Sequence, residues 1–128
     1  MYLLINTSVR DSIALSLFDV ENRIDKKFEV GNRELLQSID SFLTSENKTK
    51  DDVAGIMVVV GEGSFTSTRL AVTVANTFGY VRHIPLLSVS LEQTADVQSL
   101  IALLLDQPVG QYLSATYSGV PNIGNQSS

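Results

Sequence analysis

The chain has 128 residues, a formal net charge of -5 and an isoelectric point near 4.6. This length suits one domain that buries about two thirds of the surface of its unfolded chain. The acidic balance argues against a large nucleic-acid surface, which needs clustered Lys and Arg, so any RNA is expected to be reached through a partner. The one basic cluster, Arg23 with Lys26 and Lys27, is better explained by a solvated strand face than by RNA binding.

The sequence contains no cysteine, which excludes disulfides and thiolate metal ligands and fits a reducing compartment. The apolar run at residues 2–5 is too short for a signal peptide or a membrane span. We therefore expect a cytoplasmic protein that does not enter a membrane.

The first thirty residues predict three antiparallel strands. Residues 2–5 form a buried strand that ends at Asn6-Thr7-Ser8. Residues 12–18 alternate apolar and small or polar side chains, as in a half-buried strand, and the more polar residues 23–30 continue the meander.

From residue 32 onward, helical and extended patterns alternate. Apolar side chains at helical spacing predict a helix over residues 34–44, with Asn32 as its N-cap. The continuously apolar residues 54–60 are typical of a central strand buried on both faces. A second helix is predicted over residues 66–78, with Gly79 as its C-cap.

The last predicted elements are a strand at residues 84–89 and a helix over residues 92–106. The helix is introduced by the capping box Ser90-Leu91-Glu92-Gln93. Beyond Pro108 the periodicity is lost, so we predict a domain at residues 1–106 and an irregular C-terminal tail at residues 107–128.

A glycine-rich turn joins the central strand to the second helix, with the sequence Gly61-Glu62-Gly63-Ser64-Phe65-Thr66-Ser67-Thr68-Arg69. Its glycines suit a sharp turn because glycine takes positive φ without a steric cost. Two interpretations remain open. The unpaired N–H groups at the helix start bind an anion, or the turn is structural and Arg69 pairs with a neighbouring carboxylate or carbonyl. The carboxylate of Glu62, which would lie beside any phosphate, favours the structural interpretation.

The same stretch resembles the Gly-Pro-Gly-Ser-Phe-Thr-Gly-x-Arg signature of the TsaB (YeaZ) family, the non-catalytic subunit of bacterial tRNA threonylcarbamoyladenosine biosynthesis. The matching residues are Gly61, Gly63, Ser64, Phe65, Thr66 and Arg69, whereas Glu62 and Ser67 replace a proline and a glycine. The resemblance spans roughly residues 1–105. It implies an α/β, ribonuclease-H-like half of the actin, sugar-kinase and Hsp70 superfamily, with the order βββαβαβα and a mixed five-stranded sheet carrying helices on its faces. Family members normally carry a second half of similar build, so most of a C-terminal half is expected to be missing.

The resemblance also implies partners. In the family, the first two helices form a four-helix bundle with the TsaD catalytic subunit or with a second TsaB, and a TsaE-like ATPase docks on the heterodimer. The implied contact residues are Leu36, Ile39 and Leu43 on the first helix and Val72, Thr73 and Asn76 on the second. For the apolar members, the alternative is a place in the intramolecular core. tRNA would be engaged only indirectly.

The N-terminal hairpin predicts a protein without chemistry of its own. In ATP-using members of the superfamily this hairpin carries an acidic residue that holds the metal, and the resembled family usually has Asp-Thr-Ser where this chain has Asn6-Thr7-Ser8. Asparagine lacks the negative charge that Mg²⁺ prefers. His83 is the only histidine, and one histidine cannot form the paired metal site of the catalytic relatives. We therefore predict no catalytic residue, metal or cofactor. The alternatives are a small nucleotide- or phosphate-binding protein derived from the sugar kinases, and a self-associating structural dimer.

Overall fold

The computed structural model describes residues 1–61 and 65–114. Within these ranges, five strands and three α-helices follow the predicted order βββαβαβα. The elements are β1 (Tyr2–Asn6), β2 (Ile13–Phe18), β3 (Arg23–Phe28), α1 (Leu35–Ser45), β4 (Ile56–Val59), α2 (Phe65–Arg82), β5 (Leu86–Val89) and α3 (Ile101–Leu105). The 3₁₀ segments Asn32–Glu34, Lys50–Asp52 and Glu92–Leu100 lie between them.

The strands form one mixed sheet in the order β3-β2-β1-β4-β5. β2 pairs antiparallel with β1 and β3, because short turns join these strands, whereas β4 and β5 extend the sheet in parallel from β1. The parallel strands are joined through helices, as parallel connections require. This is the ribonuclease-H-like arrangement, so the predicted fold class is confirmed.

The alternation of side chains along each strand divides the core into two layers. On the first face, Leu3 and Ile5 of β1 pack with residues of α1 and α2 in the larger apolar cluster. On the second face, Leu4 and Met57 pack with a smaller cluster from the segment that contains α3. The two longest helices therefore cover one face of the sheet together.

The predicted end of the second helix is wrong. α2 continues past Gly79 to Arg82, and His83 adopts the left-handed conformation after it, with φ of 55°. Gly79 is needed for packing instead, because a Cβ at this position would lie 2.9 Å from Leu86 Cδ1 on β5. The glycine allows α2 to approach the sheet closely.

The predicted single helix over residues 92–106 is also wrong, although its capping box is confirmed. Ser90 N donates to Gln93 Oε1 at 2.7 Å, and Gln93 N donates to Ser90 Oγ at 3.3 Å. The capping box starts a 3₁₀ segment that kinks at Asp96, where φ is -144° and ψ is 65°, and the α-helical part is confined to Ile101–Leu105.

Four strands are shorter than predicted. β2 begins at Ile13, β3 ends at Phe28, β4 is confined to Ile56–Val59, and β5 begins at Leu86. Residues 107–114 are irregular, and residues 115–128 of the predicted tail lie outside the described residues. No helix in the described part of the chain is long and apolar enough to cross a membrane.

Candidate functional site

The predicted N-terminal hairpin and the glycine-rich turn lie at the same edge of the sheet. β1 and β4 run parallel with Ile5 opposite Val58, so their carboxyl ends are adjacent. Asn6 ends β1, and Gly61 follows β4 just before α2. In open α/β sheets this edge is where ligands usually bind. The fold thus brings together two stretches that are far apart in sequence.

Ser67, in the first turns of α2, connects these stretches. Thr7 Oγ1 donates to the Ser67 carbonyl oxygen at 3.2 Å, and Asn32 Nδ2 donates to Ser67 Oγ at 3.0 Å. Thr7 is buried, so water competes little for its hydroxyl. The predicted N-cap role of Asn32 is wrong, because Asn32 lies inside the 3₁₀ turn before α1 and its side chain reaches α2 instead.

The side-chain oxygen of Asn6 is used within its own loop. Asn6 Oδ1 accepts hydrogen bonds from Ser8 N at 3.0 Å and from Ser8 Oγ at 2.6 Å, which is an Asx-type turn. A neutral amide can hold this loop without a cation. Among the described residues, no group of three or more His, Cys, Asp or Glu side chains is placed to hold a metal ion.

The structure describes part of the signature turn. Gly61 has φ of 85°, the left-handed conformation expected of a glycine at this turn. Gly63 and Ser64 lie outside the described residues, as does the side chain of Phe65, whose backbone begins α2. Thr66 and Arg69 lie on the exposed side of the first turns of α2. Anion binding at this turn remains a prediction.

Of the contact residues implied for the first helix, one reaches the surface. Leu36 is 54% exposed, whereas Ile39 and Leu43 are buried in the larger cluster. α1 buries a broad stripe that also includes Leu35 and Phe42, and this stripe faces the sheet. In the monomer, Ile39 and Leu43 therefore belong to the core and offer a partner no side-chain surface.

The second helix shows the same division. Val72 is buried and 5% exposed, so it too belongs to the core. Thr73 is exposed and Asn76 is half-buried. Asn76 is already engaged, because Leu113 N donates to its Oδ1 at 2.8 Å and its Nδ2 donates to the Leu113 carbonyl oxygen at 3.2 Å.

The surface of α1 and α2 also contains residues that the sequence analysis did not single out. Lys50 joins the two helices, since its ammonium lies 3.2 Å from Asp40 Oδ1 and 5.9 Å from the centre of the Phe78 ring. Leu36 is four residues before Asp40 and so lies on the same side of α1. Val81, 62% exposed, lies near the end of α2, three residues after Phe78. We call the exposed side chains of these two helices, Leu36 and Val81 among them, the α1–α2 surface.

Two residues of the predicted basic cluster on β3, Arg23 and Lys27, form local ion pairs and hydrogen bonds. Arg23 Nε donates to Asp25 Oδ1 at 2.9 Å, and its Nη1 donates to the Thr94 carbonyl oxygen at 2.6 Å. Lys27 lies 3.4 Å from Glu29 Oε1. These residues border a cleft of about 270 Å³ on the second face of the sheet. Their contacts are those of a strand surface and its covering segment.

A comparison with protein families identifies the chain. Residues 32–120 match the sequence profile of the family described as TsaD, tRNA N6-adenosine threonylcarbamoyltransferase, and they make up more than half of the sequence. The chain belongs to the TsaD family. This family acts in tRNA modification, and its profile covers α1, the signature turn and α2 but not the hairpin at Asn6.

The fold of this TsaD-family chain is similar to that of solved YeaZ structures. YeaZ from Pseudomonas aeruginosa has a TM-score of 0.62 and 23% identity, and the match covers 70% of this chain and 44% of YeaZ. A Pseudomonas aeruginosa protein described as uncharacterized with similarity to peptidase YeaZ has a TM-score of 0.64 and 23% identity, over 74% of this chain and 48% of that protein. The chain spans about half the length of these structures. No curated protein matches it. The expected YeaZ-like fold is thus confirmed, and the family that the sequence matches is TsaD.

Proposed function

We propose that the chain is a non-catalytic scaffold subunit that binds a TsaD-like catalytic subunit and keeps it competent. The reaction served is transfer of a threonylcarbamoyl group to N6 of adenosine in tRNA. The observation that carries this proposal is the α1–α2 surface, where Leu36 and Val81 expose apolar side chains on the two helices that cover one face of the sheet. Large apolar side chains left exposed on such helices favour a protein partner.

The hairpin at the end of β1 supports a role without chemistry. A metal-binding site here needs a carboxylate, and Asn6 supplies an amide whose oxygen accepts two hydrogen bonds from Ser8. The residues that would hold nucleotide phosphates in the superfamily are instead used to fix the loop against Ser67 of α2. The catalytic residues would then belong to the partner subunit.

The proposal extends to the assembly and its location. The partner is a TsaD-like subunit, a TsaE-like ATPase joins the pair, and tRNA is met through them. A homodimer would use the same helices and compete with the heterodimer. We place the complex in the cytoplasm.

Calorimetry with the cognate TsaD-like subunit tests the proposal. Wild-type chain is expected to bind with micromolar or tighter affinity, and Leu36→Asp to weaken binding about tenfold or more, as substitution of a central apolar contact does. The matched control is Leu103→Asp, since Leu103 is 47% exposed on α3 at the opposite face of the sheet. Absence of binding by the wild-type chain, or equal loss from both variants, would refute the proposed interface. The mass of the chain alone in solution reports the homodimer.

A second candidate, nucleotide or phosphate binding, is favoured by one observation. Thr7 and Ser67 bring the hairpin and the start of α2 into direct contact at the ligand-binding edge of the sheet. Titration with ATP and Mg²⁺ tests it. A Kd below about 100 μM would support this candidate, because that affinity is beyond weak, non-specific association.

A further inference from the structure

The irregular segment after α3 is attached to α2 through the side chain of Asn76. Asn76 presents its amide to the backbone of Leu113 as a neighbouring strand would, with Oδ1 accepting from the N–H at 2.8 Å and Nδ2 donating to the carbonyl oxygen at 3.2 Å. Leu113 is half-buried and packs against the larger apolar cluster. This attachment places the end of the described chain on the α2 side of the sheet.

The part of the segment before Leu113 is exposed to solvent. It leaves α3 on the second face of the sheet and reaches α2 on the first, and all residues from 108 to 112 are exposed. Val109 and Tyr112 are 52% and 62% exposed, so their apolar side chains are not used in packing. A segment whose residues are mostly exposed belongs to the parts of a protein that open most easily.

We propose that residues 111–114 form a strap that occupies Asn76 in the free chain and must leave it before a partner can contact this side of α2. Asn76 is one of the contact residues implied for this helix by the family resemblance, yet both polar groups of its amide are bonded to Leu113. A partner that lies against Asn76 therefore competes with the strap. The inference rests on the proposed function, because it concerns access to the same helix.

The effect of the strap on binding depends on its population. If it is docked about nine-tenths of the time, partner affinity is reduced about tenfold, and releasing the strap restores that factor. Leu113→Asp removes the apolar anchor, and Leu113→Pro removes the N–H that Asn76 Oδ1 accepts. Both are expected to lower the Kd for the TsaD-like subunit about tenfold.

The control is Val109→Asp, which makes the same kind of change at an exposed position of the same segment. It is expected to leave the Kd within about twofold of wild type. Release of the strap is monitored separately, by NMR hydrogen exchange of the Asn76 side-chain amide. This amide should exchange faster than in wild type in both Leu113 variants. In Val109→Asp its exchange rate should be unchanged. Circular dichroism and a melting curve check that each variant is folded, and Leu113→Ala replaces any that is not.

The outcomes separate this inference from the proposed function. If wild type binds and a variant with a released strap binds equally well or more weakly, the strap is neutral or part of the interface and the inference is overturned. If the Asn76 amide exchanges as fast in wild type as in the variants, there is no docked strap. If neither wild type nor any released variant binds, the proposed function fails together with the inference.

Discussion

The two faces of the sheet are covered in different ways. On the first face, α1 and α2 have 11 and 18 residues and enclose the larger apolar cluster. On the second face, a kinked 3₁₀ segment and the 5-residue α3 cover a smaller cluster and leave a polar cleft open. A long helix can bury a continuous stripe, whereas a short or kinked segment buries isolated side chains.

The second face compensates with polar links to the turn between β2 and β3. Arg23 donates to the Thr94 carbonyl oxygen, and Gln98 Nε2 donates to the carbonyl oxygens of Asp19 and Asn22 at 3.0 and 3.3 Å. Such links contribute less than a packed helix because water competes for the same groups. The comparison teaches that one face is held by apolar burial and the other partly by a few directed hydrogen bonds.

The largest expected effect comes from matched leucines, one on each face. Leu35 of α1 and Leu104 of α3 are 1% and 0% exposed. Leu35→Ala is expected to lower the free energy of unfolding by about 3–5 kcal/mol, because the long helices that cover this face of the sheet cannot collapse into the cavity. Leu104→Ala is expected to cost only about 2–3 kcal/mol, because the short α3 can settle into the space. Urea denaturation measures both.

The control for these two variants is Leu103→Ala, which removes the same atoms from an exposed position on α3. Its expected cost is within about 0.5 kcal/mol. Equal losses for Leu35→Ala and Leu104→Ala would show that the two faces are equally rigid, and the comparison would then be abandoned.

The contrast between the faces also explains which predictions from sequence are confirmed. The first face can be predicted from periodicity, because α1 and the strands bury side chains at the spacing of their own backbone. The capping-box sequence at Ser90 and Gln93 is an equally clear signal, but it concerns only neighbouring residues. It fixes two hydrogen bonds and does not determine the conformation of the next residues, where Val97 enters the core and Gln98 bonds a distant turn across the kink at Asp96.

Contacts between distant residues account for the remaining errors. Gly79 is typical of a helix end in sequence, but its role is the close approach of Leu86 from β5, which no local pattern reveals. Ending the helix there also hid Val81 from the candidate interface. Similarly, the apolar stripe of α1 indicated an amphipathic helix but did not separate Leu36, which is exposed, from Ile39 and Leu43, which are buried.

An intermediate effect is expected from the link between β3 and the 3₁₀ segment. Arg23→Met keeps most of the aliphatic length but removes the donors to Thr94 and Asp25, and it should cost about 1–2 kcal/mol, as for a charged hydrogen bond that is partly exposed. Amide hydrogen exchange should accelerate at Glu92–Leu100 more than in α1.

The control is Lys27→Met, two residues beyond Asp25 on the same side of β3. It should change the free energy of unfolding by less than about 0.5 kcal/mol. Uniform acceleration across both faces would contradict a local link.

The smallest effect is a pH dependence at the same link. Partial burial raises the pKa of Asp25, but hydrogen bonds from Ser16 and Arg23 and the charge of Arg23 outweigh it, so the pKa lies below its ordinary value. Since the folded-state pKa is lower than the unfolded one, Asp25 stabilises the fold above the unfolded value, about 3.9, and this contribution disappears as pH falls through the folded value. Exposure of the carboxylate keeps the contribution below about 1 kcal/mol.

Urea denaturation at neutral pH and near pH 3 measures this contribution. The two urea midpoints should differ less in Asp25→Asn than in wild type. The control is Asp40→Asn, which removes an exposed ion pair on the first face and should behave as wild type. An unchanged acid loss in Asp25→Asn would show that the carboxylate does not hold the second face.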